Sequence, residues 1–311
     1  HLLGAGGRAL AGRGADALTQ GTRRAVVLSA AAAAAFSLGA PLSRLAAPVS
    51  AAEVTLWRLG LATLVAYGLA RASGVSLAHI RERRTAVLGA TLYAHFLLFT
   101  LAAQTTTTAH TLALVYGSPA LVALGSALIL REPPRPMQIV GVMGAVAGIA
   151  ILVGFEPAAS GATLGGDLAA AGSGAALAAY VLAGRYYRGA MPLPAYVFAV
   201  YGWAALLALP FAAFSFDPAS YDGGRILVLV ILGVVPLGMG HTLLNAALRR
   251  ARATIPNVIT TQEATGGVIL GALLYGEIPG PSAVLGALLA LAGVITVVVF
   301  GRSKPETASG A

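Results

Sequence analysis

The chain has 311 residues without a single cysteine, and Asp, Glu, Lys and Arg together make up only 10% of it. The lack of cysteine excludes disulfide bonds, thiolate metal sites and thiol redox chemistry. Lys304, near the C-terminal end, is the only lysine, so a chromophore bound as a Schiff base inside an apolar bundle is also excluded. Soluble proteins usually carry many more charges on their surface. The shortage of charge therefore favours a protein embedded in a membrane.

Several motifs of pumps and hydrolases are missing too. The GxxxxGK[ST] motif does not occur, which argues against ATP as the direct energy source. HExxH and Gly-x-Ser-x-Gly are also absent, which weakens an interpretation as an intramembrane protease. The sequence predicts no catalytic residue, no metal site and no cofactor, and hence a protein that is not an enzyme. An integral-membrane enzyme, a lipid flippase and a channel stay open as alternatives.

Apolar residues make up 58% of the chain and occur in runs of about 20 residues, each long enough as a helix to cross about 30 Å of hydrocarbon. Alternating apolar patterns that would indicate β-strands are absent. The runs cover residues 24–45, 51–71, 84–103, 108–130, 136–155, 165–185, 194–215, 225–247, 254–275 and 281–300. We therefore predict an all-α integral membrane protein with ten transmembrane helices.

The formal net charge of +9 is distributed unevenly along the predicted loops. If the N-terminus is cytoplasmic, 17 of the 20 Lys and Arg residues fall on the cytoplasmic side, which is the usual bias of membrane proteins. These residues are Arg8, Arg13, Arg23, Arg24, Arg71, Arg81, Arg83, Arg84, Arg131, Arg135, Arg185, Arg188, Arg249, Arg250, Arg252, Arg302 and Lys304. The pattern predicts that both termini are cytoplasmic, and it argues against nucleic acid as a partner.

Two stretches 145 residues apart read alike, one around Glu132 and the other around Glu277. The pairs that match at this spacing are Glu132 and Glu277, Pro136 and Pro281, Gly141 and Gly286, and Gly148 and Gly293. Five predicted helices separate the two copies, so the copies cross the membrane in opposite directions. Two inverted halves of this kind are typical of transporters with a site at the interface of the repeats. The two glutamates lie at the ends of predicted helices, so we expect structural roles, such as capping the next helix.

This repeat divides the chain. We predict a flexible cytoplasmic tail over residues 1–22, a first five-helix repeat over 23–155, a second, inverted five-helix repeat over 165–301, and a cytoplasmic tail over 302–311. A signal peptide over residues 23–47 is an alternative. The alternation of loop charge disfavours it, because that alternation requires this segment to be the first transmembrane helix.

Glu263 is the most informative polar residue, since it lies near the middle of a predicted transmembrane helix. An acidic residue there costs about 2.5 to 3.5 kcal/mol on insertion scales, so it should face the interior of the bundle. It could pair with Arg58, contact an ammonium or hydroxyl group of a substrate, or couple transport to protons. The residue at the equivalent position of the first half is Ser118, so the two halves differ at the membrane centre.

Other polar groups in the predicted helices leave alternatives open. Arg58 could pair with Glu53 or Glu263 as a structural contact, or could bind a carboxylate. His95, His241 and Asn245 could form hydrogen bonds between helices or line a cavity. Our candidates for substrate binding are Arg58, Tyr93, His95, Tyr116, Ser118, His241, Asn245, Thr260 and Glu263. Pro119 and Pro236 should bend their helices, either as architecture or as hinges of a transport cycle.

Together these residues resemble the EamA repeat of the drug/metabolite transporter superfamily. The similarity rests on a helix that ends in Glu132 or Glu277, a proline four residues later, and a glycine-rich helix. Trp57-Arg58, Ser118-Pro119 and Gly166-Asp167 also look like positions of this family. The second half departs from the pattern, because Glu263-Ala264 stands where the first half has Ser118-Pro119.

The resemblance implies a carrier of the bacterial inner membrane with ten helices in two inverted repeats and both termini in the cytoplasm. Helices one to four and six to nine would surround a central cavity, with helices five and ten at the periphery. Members export amino acids, other metabolites or drugs, some by proton antiport and others as facilitators. We expect a monomer or weak dimer that exports amino acids by alternating access. The aromatic amino-acid exporter branch is one candidate within the family, and drug efflux is the alternative.

Overall fold

The structure is a computed structural model that describes residues 3–105, 108–153, 164–187, 189–275 and 280–301. Every regular element in these ranges is helical. The helices are α1 (Leu3–Phe36), α2 (Gly39–Leu45), α3 (Ala51–Ala72), α4 (Arg83–Thr105), α5 (Thr108–Val115), α6 (Ser118–Leu128), α7 (Pro136–Val153), α8 (Leu164–Tyr186), α9 (Leu193–Phe214), α10 (Gly223–Leu232), α11 (Thr242–Leu248), α12 (Thr254–Thr260), α13 (Glu263–Tyr275) and α14 (Pro281–Gly301). A π-helical segment, Gly233–His241, joins α10 to α11.

Each of the ten apolar runs in the sequence coincides with one helix or with consecutive helices. Six described stretches are long and apolar enough to cross a membrane by length and composition: Gln20–Ser43, Arg83–Ala103, Leu164–Tyr186, Leu193–Phe214, Gly223–Leu248 and Val284–Gly301. The other runs do not form a single helix of this length and apolar composition, for reasons that the structure shows. Helix α3 carries Glu53, Arg58 and Arg71. The runs at 108–130 and 254–275 are each split into two helices, and α7 is a shorter apolar helix.

The N-terminal segment differs from its expected form. The sequence predicts a flexible tail over residues 1–22, but α1 is helical from Leu3 onward. Residues 1–22 include six Gly, which disfavour a helix, but also five Ala, four Leu and two Arg, which favour one. Extending an existing helix also needs no new nucleus. The predicted C-terminal tail at 302–311 and the repeated glutamate Glu277 lie outside the described residues.

Helices α7 and α14 form a glycine-lined contact that relates the two halves. A β-carbon placed on Gly141 would lie 2.8 Å from the Gly293 carbonyl oxygen, and one on Gly148 would lie 2.8 Å from that of Gly286. The two helices therefore run antiparallel with their backbones in contact, as small residues permit in membranes. Gly293 and Gly286 are the residues 145 positions after Gly148 and Gly141. Each glycine thus meets the counterpart of the other, as around a two-fold axis perpendicular to the helices.

Large apolar side chains cover the outside of the bundle. Phe214 is 95% exposed, and Leu128, Leu164 and Leu273 are each more than 70% exposed. A continuous apolar exterior of this kind is unsuited to water and suits a lipid environment. The interior contains the fully buried rings of Tyr180, Tyr196 and Tyr201.

At one end of the bundle, an ion pair joins the two halves. Arg185, at the end of α8, donates to Glu132 from Nη2 to Oε1 at 2.6 Å and from Nε to Oε2 at 3.1 Å. Its Nη1 donates to the carbonyl oxygen of Leu248 at 3.1 Å. The structural role expected for Glu132 thus involves this contact between the ends of α6, α8 and α11.

The opposite end is joined by a neutral phenol. Tyr221 donates its hydroxyl hydrogen to Glu53 Oε1 at 2.7 Å, and Trp57 Nε1 lies 3.4 Å from the Tyr221 oxygen. Glu53 also forms a capping box with Ser50 at the start of α3. Burial, followed by the hydrogen bond to Glu53, raises the pKa of Tyr221 to about 12, so this contact is neutral on the tyrosine side at physiological pH.

Candidate functional site

Two helix interruptions repeat at the spacing found in the sequence. Helix α5 ends at Val115 and α12 ends at Thr260, while α6 begins at Ser118 and α13 begins at Glu263. Both pairs are 145 residues apart. The internal repeat is therefore present in the backbone as well as in the sequence.

Two further irregularities lie in other helices. The first apolar run breaks between Phe36 and Gly39, and the run at 225–247 becomes π-helical around Pro236. Proline has no backbone N–H to donate, so it disturbs the normal helical pattern. Irregular backbone at membrane depth is tolerated where it lines a cavity.

All four irregular regions border one cavity. Its lining residues are Phe36, Gly39, Arg58, His95, Phe96, Phe99, Val115, Tyr116, Ser118, Leu177, Pro236, His241, Leu244, Asn257, Thr260, Thr261 and Glu263. The cavity thus draws on both halves of the chain, and half-helices with an end at a central cavity are a recurring feature of transporter sites.

A positive and a negative side chain of this cavity both lie close to Gly39. A methyl group on Gly39 would lie 3.5 Å from Glu263 Oε1 and 4.0 Å from Arg58 Nη2. Tyr116 lines the same cavity as Glu263. The Arg58 guanidinium carbon lies 4.5 Å from the centre of the Phe96 ring, within the range of a cation–π contact. Of the two acidic partners expected for Arg58, Glu53 is disfavoured, because it accepts a hydrogen bond from Tyr221 at the end of the bundle.

The two histidines stand side by side on the cavity wall. The ring centres of His95 and His241 are 6.4 Å apart, and each residue is no more than 6% exposed. His95 Nδ1 lies 2.9 Å from Ser173 Oγ. His241 packs on Phe36 with ring centres 4.6 Å apart. Its Nδ1 has no hydrogen-bond partner among the described residues.

Most of the predicted substrate-binding residues lie together, and two do not. The cavity is lined by Arg58, His95, Tyr116, Ser118, His241, Thr260 and Glu263. Tyr93 instead packs on Phe211, with ring centres 5.9 Å apart. Positions two apart on a helix point about 200° apart, so Tyr93 and His95 face different neighbours. Asn245 donates to Tyr180 Oη at 2.5 Å and to the His241 carbonyl oxygen at 2.8 Å, one turn beyond the cavity.

The two candidate hinge prolines occupy different positions. Pro236 lines the cavity within the π-helical segment. Pro119 is buried directly after Ser118 in the first turn of α6, where a proline fits without loss of a helical hydrogen bond. Both prolines lie next to a helix irregularity, although only Pro236 borders the cavity.

Some lining residues were not among the candidates. Asn257 and Thr261 face the cavity from α12 and its end. Asn257 lies three positions before Thr260, on the same helix face, and this spacing could have identified it. Phe36 and Gly39 carry no comparable signal, because an apolar run rich in small residues does not reveal which of them faces a cavity.

Comparison with known proteins follows the same division of the chain. The sequence profile of the EamA-like transporter family matches residues 23–154 and, separately, residues 164–299. The chain belongs to the EamA-like transporter family. The resemblance inferred from the repeated Glu-Pro-Gly-Gly pattern is thereby confirmed, and this EamA-like protein is a multi-pass membrane transporter.

Individual relatives agree over almost the whole length. The EamA-like chain is 29% identical over 284 residues to the threonine/homoserine exporter RhtA of Escherichia coli K12, covering 90% of this chain and 93% of that protein. The RhtA exporters of the O6:H1 and O157:H7 strains match equally well. A solved crystal structure matches with a TM-score of 0.78 and 21% identity, covering 90% of this chain and 99% of that one. At this identity, the match shows the fold alone.

Proposed function

We propose that this EamA-like protein exports amino acids or closely related small metabolites from the cytoplasm across the bacterial inner membrane. The observation that carries the proposal is the convergence of four helix irregularities on one cavity that contains Arg58 and Glu263. A buried ionisable residue inside a membrane bundle is costly and marks a functional pathway. The relatives named as threonine/homoserine exporters support amino acids as the substrate class.

The proposed topology has ten transmembrane helices in two inverted repeats, residues 23–155 and 165–301, with both termini in the cytoplasm. The antiparallel contact of α7 and α14, in which each glycine meets the counterpart of the other, supports the inversion. The clustering of Lys and Arg on one side supports the orientation. The end with Glu132 and Arg185 is then cytoplasmic, and the end with Glu53 and Tyr221 faces outward.

This arrangement suggests how alternating access works. Polar contacts join helices at both ends, the ion pair of Glu132 and Arg185 at one and the Tyr221–Glu53 hydrogen bond at the other. Opening the cavity to either side requires release of the contact at that end. Pro236 supplies a flexible irregularity next to the cavity and serves as the hinge of this motion, and Pro119, beside the helix break in the first half, is a second hinge.

Aromatic amino acids are a second candidate class. Phe36, Phe96 and Phe99 line the cavity, and aromatic walls suit an aromatic side chain. In this conformation, however, the cavity holds only about 50 Å³, room for a few water molecules. The restricted volume favours small amino acids, and an aromatic substrate would require a larger opening.

The decisive experiment measures flux of a labelled amino-acid panel in proteoliposomes, with and without a pH gradient. Glu263→Gln should reduce flux of the best substrate at least ~10-fold, or alter its pH dependence, because the variant loses a charge in the cavity. Glu82→Gln, in an exposed loop, is the matched control and should transport normally. Unchanged flux of Glu263→Gln at every pH would remove Glu263 from the site, and absence of flux for every amino acid would refute the proposed function.

A further inference from the structure

The cavity contains buried polar atoms that no described residue satisfies. They are Nε and Nη1 of Arg58, Nδ1 of His241 and Oδ1 of Asn257. The three residues are 5%, 5% and 2% exposed. Buried polar groups in folded proteins nearly always have partners, so a cluster of unsatisfied ones requires an explanation. Their common position on the wall of one cavity points to a ligand that supplies the missing partners.

The unsatisfied atoms specify the chemistry of that ligand. Arg58 offers N–H donors and no acceptor, so it suits a carboxylate. Glu263 lines the cavity and offers only acceptors when it is ionised. The Asn257 amide oxygen, one helical turn before α12 ends at Thr260, is a second acceptor in the cavity. An ammonium group, which only donates, fits Glu263 and Asn257.

On the basis of the proposed function, we propose that Arg58 binds the α-carboxylate and Glu263 the α-ammonium group of a free zwitterionic amino acid. Both charged groups lie within 4.0 Å of the position that a Gly39 β-carbon would occupy, so both ends of one small molecule can reach them. The side chain of the substrate then lies against Phe36, Phe96 and Phe99. A side-chain hydroxyl can donate to or accept from Nδ1 of His241.

Charge balance gives this arrangement its selectivity. Arg58 and Glu263 together are neutral, and a zwitterion adds no net charge to the buried site. A simple amine would bind Glu263 and leave the buried donors of Arg58 without a partner. A simple carboxylate would bind Arg58 and leave Glu263 without a partner. Unpaired buried charges disfavour both. A purely structural ion pair would use the Arg58 donors itself, whereas two of its nitrogen atoms have no partner among the described residues.

The test measures inhibition of labelled L-threonine transport by full-length protein in proteoliposomes. Unlabelled L-threonine is the reference inhibitor. Threonine methyl ester and 1-amino-2-propanol lack the carboxylate. N-acetyl-threonine and 3-hydroxybutanoate lack the ammonium group. Each analogue with one charge should inhibit roughly 30-fold more weakly than threonine, or worse, as expected when one partner of a buried charged contact is removed. Equal inhibition by any single-charge analogue would overturn the inference while leaving amino-acid export intact.

Two variants assign each charge to its residue. The penalty for a missing group is the factor by which an analogue without it inhibits more weakly than threonine. In Arg58→Met, the penalty for a missing carboxylate should fall to about 3-fold or less, while the penalty for a missing ammonium group stays. In Glu263→Gln, the pattern should reverse. Because only ratios between inhibitors are compared, a general loss of transport rate does not affect the result. Arg225→Met, which removes a half-buried arginine at the bundle end, is the control and should keep both penalties.

The experiment separates the possible failures. If the wild-type protein does not transport threonine, threonine is refuted as a substrate. If it transports no amino acid of the panel, the proposed function is refuted. Transport with penalties that persist unchanged in both variants would refute only the assignment of the charges. If Arg58→Met does not fold, the penalties measured with the wild-type protein and with Glu263→Gln still decide the question.

Discussion

Two regions join the two halves of the chain: the contact between α7 and α14, and the central cavity. The residues of the internal repeat are the same in both halves at the contact, but they differ in the cavity. At the contact, Gly141 and Gly148 have glycine counterparts 145 residues later, and each packs against the counterpart of the other. In the cavity, the counterpart of Ser118 is Glu263, and that of Tyr116 is Thr261. The helices nevertheless break at equivalent positions there.

This difference separates the requirements of the fold from those of the ligand. Close packing of two backbones works only with small residues on both sides, so the contact preserves the symmetry of the repeat. Two-fold symmetric surroundings would suit a ligand with identical ends. The zwitterion proposed above needs unlike groups, which agrees with half-helix ends that keep the repeated backbone and differ in side chains. The predictions below perturb the symmetric contact, then a region where symmetry is partial, and finally a loop remote from both.

The largest effect is expected at the symmetric contact. A β-carbon on Gly148 would lie 2.7 Å from the Ala290 α-carbon and 2.8 Å from the Gly286 carbonyl oxygen, and backbone cannot move aside as a side chain can. Gly148→Ala should therefore destabilise the protein by about 3 kcal/mol or more, the upper range for overpacking. Unfolding in detergent, followed by size-exclusion chromatography and thermal denaturation, measures the loss.

The neighbouring glycine provides the matched control. A β-carbon on Gly144 would lie 3.7 Å from the Gly293 α-carbon, an ordinary van der Waals distance. Gly144→Ala should leave stability nearly unchanged, or raise it slightly because the unfolded chain loses freedom. Equal destabilisation by the two substitutions would show that the contact does not depend on close approach of the backbones.

An intermediate effect is expected at Glu132, which belongs to the repeated motif but contacts Arg185 in the other half. Arg185 is only 8% exposed. Removal of one partner from a largely buried ion pair costs about 3 kcal/mol, so Glu132→Ala should be destabilised by roughly this amount. Asp222→Asn, which weakens the surface pair with Arg225 but keeps a side-chain oxygen to cap α10, should cost less than about 1 kcal/mol.

Because the chain has no cysteine, the same variant can report on access to the cavity. A single cysteine introduced as Thr260→Cys should react faster with a membrane-impermeant maleimide from the proposed cytoplasmic side when Glu132 is also replaced by alanine. The comparison with Thr260→Cys alone isolates the role of the ion pair. Identical labelling rates from that side in the two proteins would argue against the pair as a closure of the cavity.

The sequence predicts much of this architecture, since apolar runs set the helices and the spacing between Glu132 and Glu277 sets the repeat. It also identifies Arg58 and Glu263, because charge inside an apolar run is conspicuous. It cannot reveal Phe36 or Gly39, whose importance comes from the helix break that turns them toward Arg58 and Glu263. Tyr93 and Asn245 were also expected to bind substrate, but small differences in helix rotation and depth place them outside the cavity.

The smallest effect is expected in a loop far from both regions. Glu82 follows a short 3-10 turn, Ala78–Arg81, between α3 and α4. Hydrogen bonds from the Arg84 side chain and then from His79 hold the pKa of Glu82 below its usual value. The contribution of the Glu82 contacts to the free energy of unfolding is therefore complete at a pH above the unfolded-state pKa of the carboxyl group. This contribution is lost as the pH falls through the lower folded-state pKa.

Glu82→Gln should lower the unfolding midpoint only slightly at neutral pH, because the carboxylate is exposed and solvent screens its contacts. The difference between wild type and variant should shrink as the pH is lowered from 7 to 3, since protonation removes the same charge from the wild-type protein. Thermal unfolding in detergent across this range measures the difference. A gap that widens toward acidic pH would contradict the assigned direction of the pKa change. A loss as large as that of Glu132→Ala would mean that this loop supports the bundle as strongly as the buried contact between the two halves.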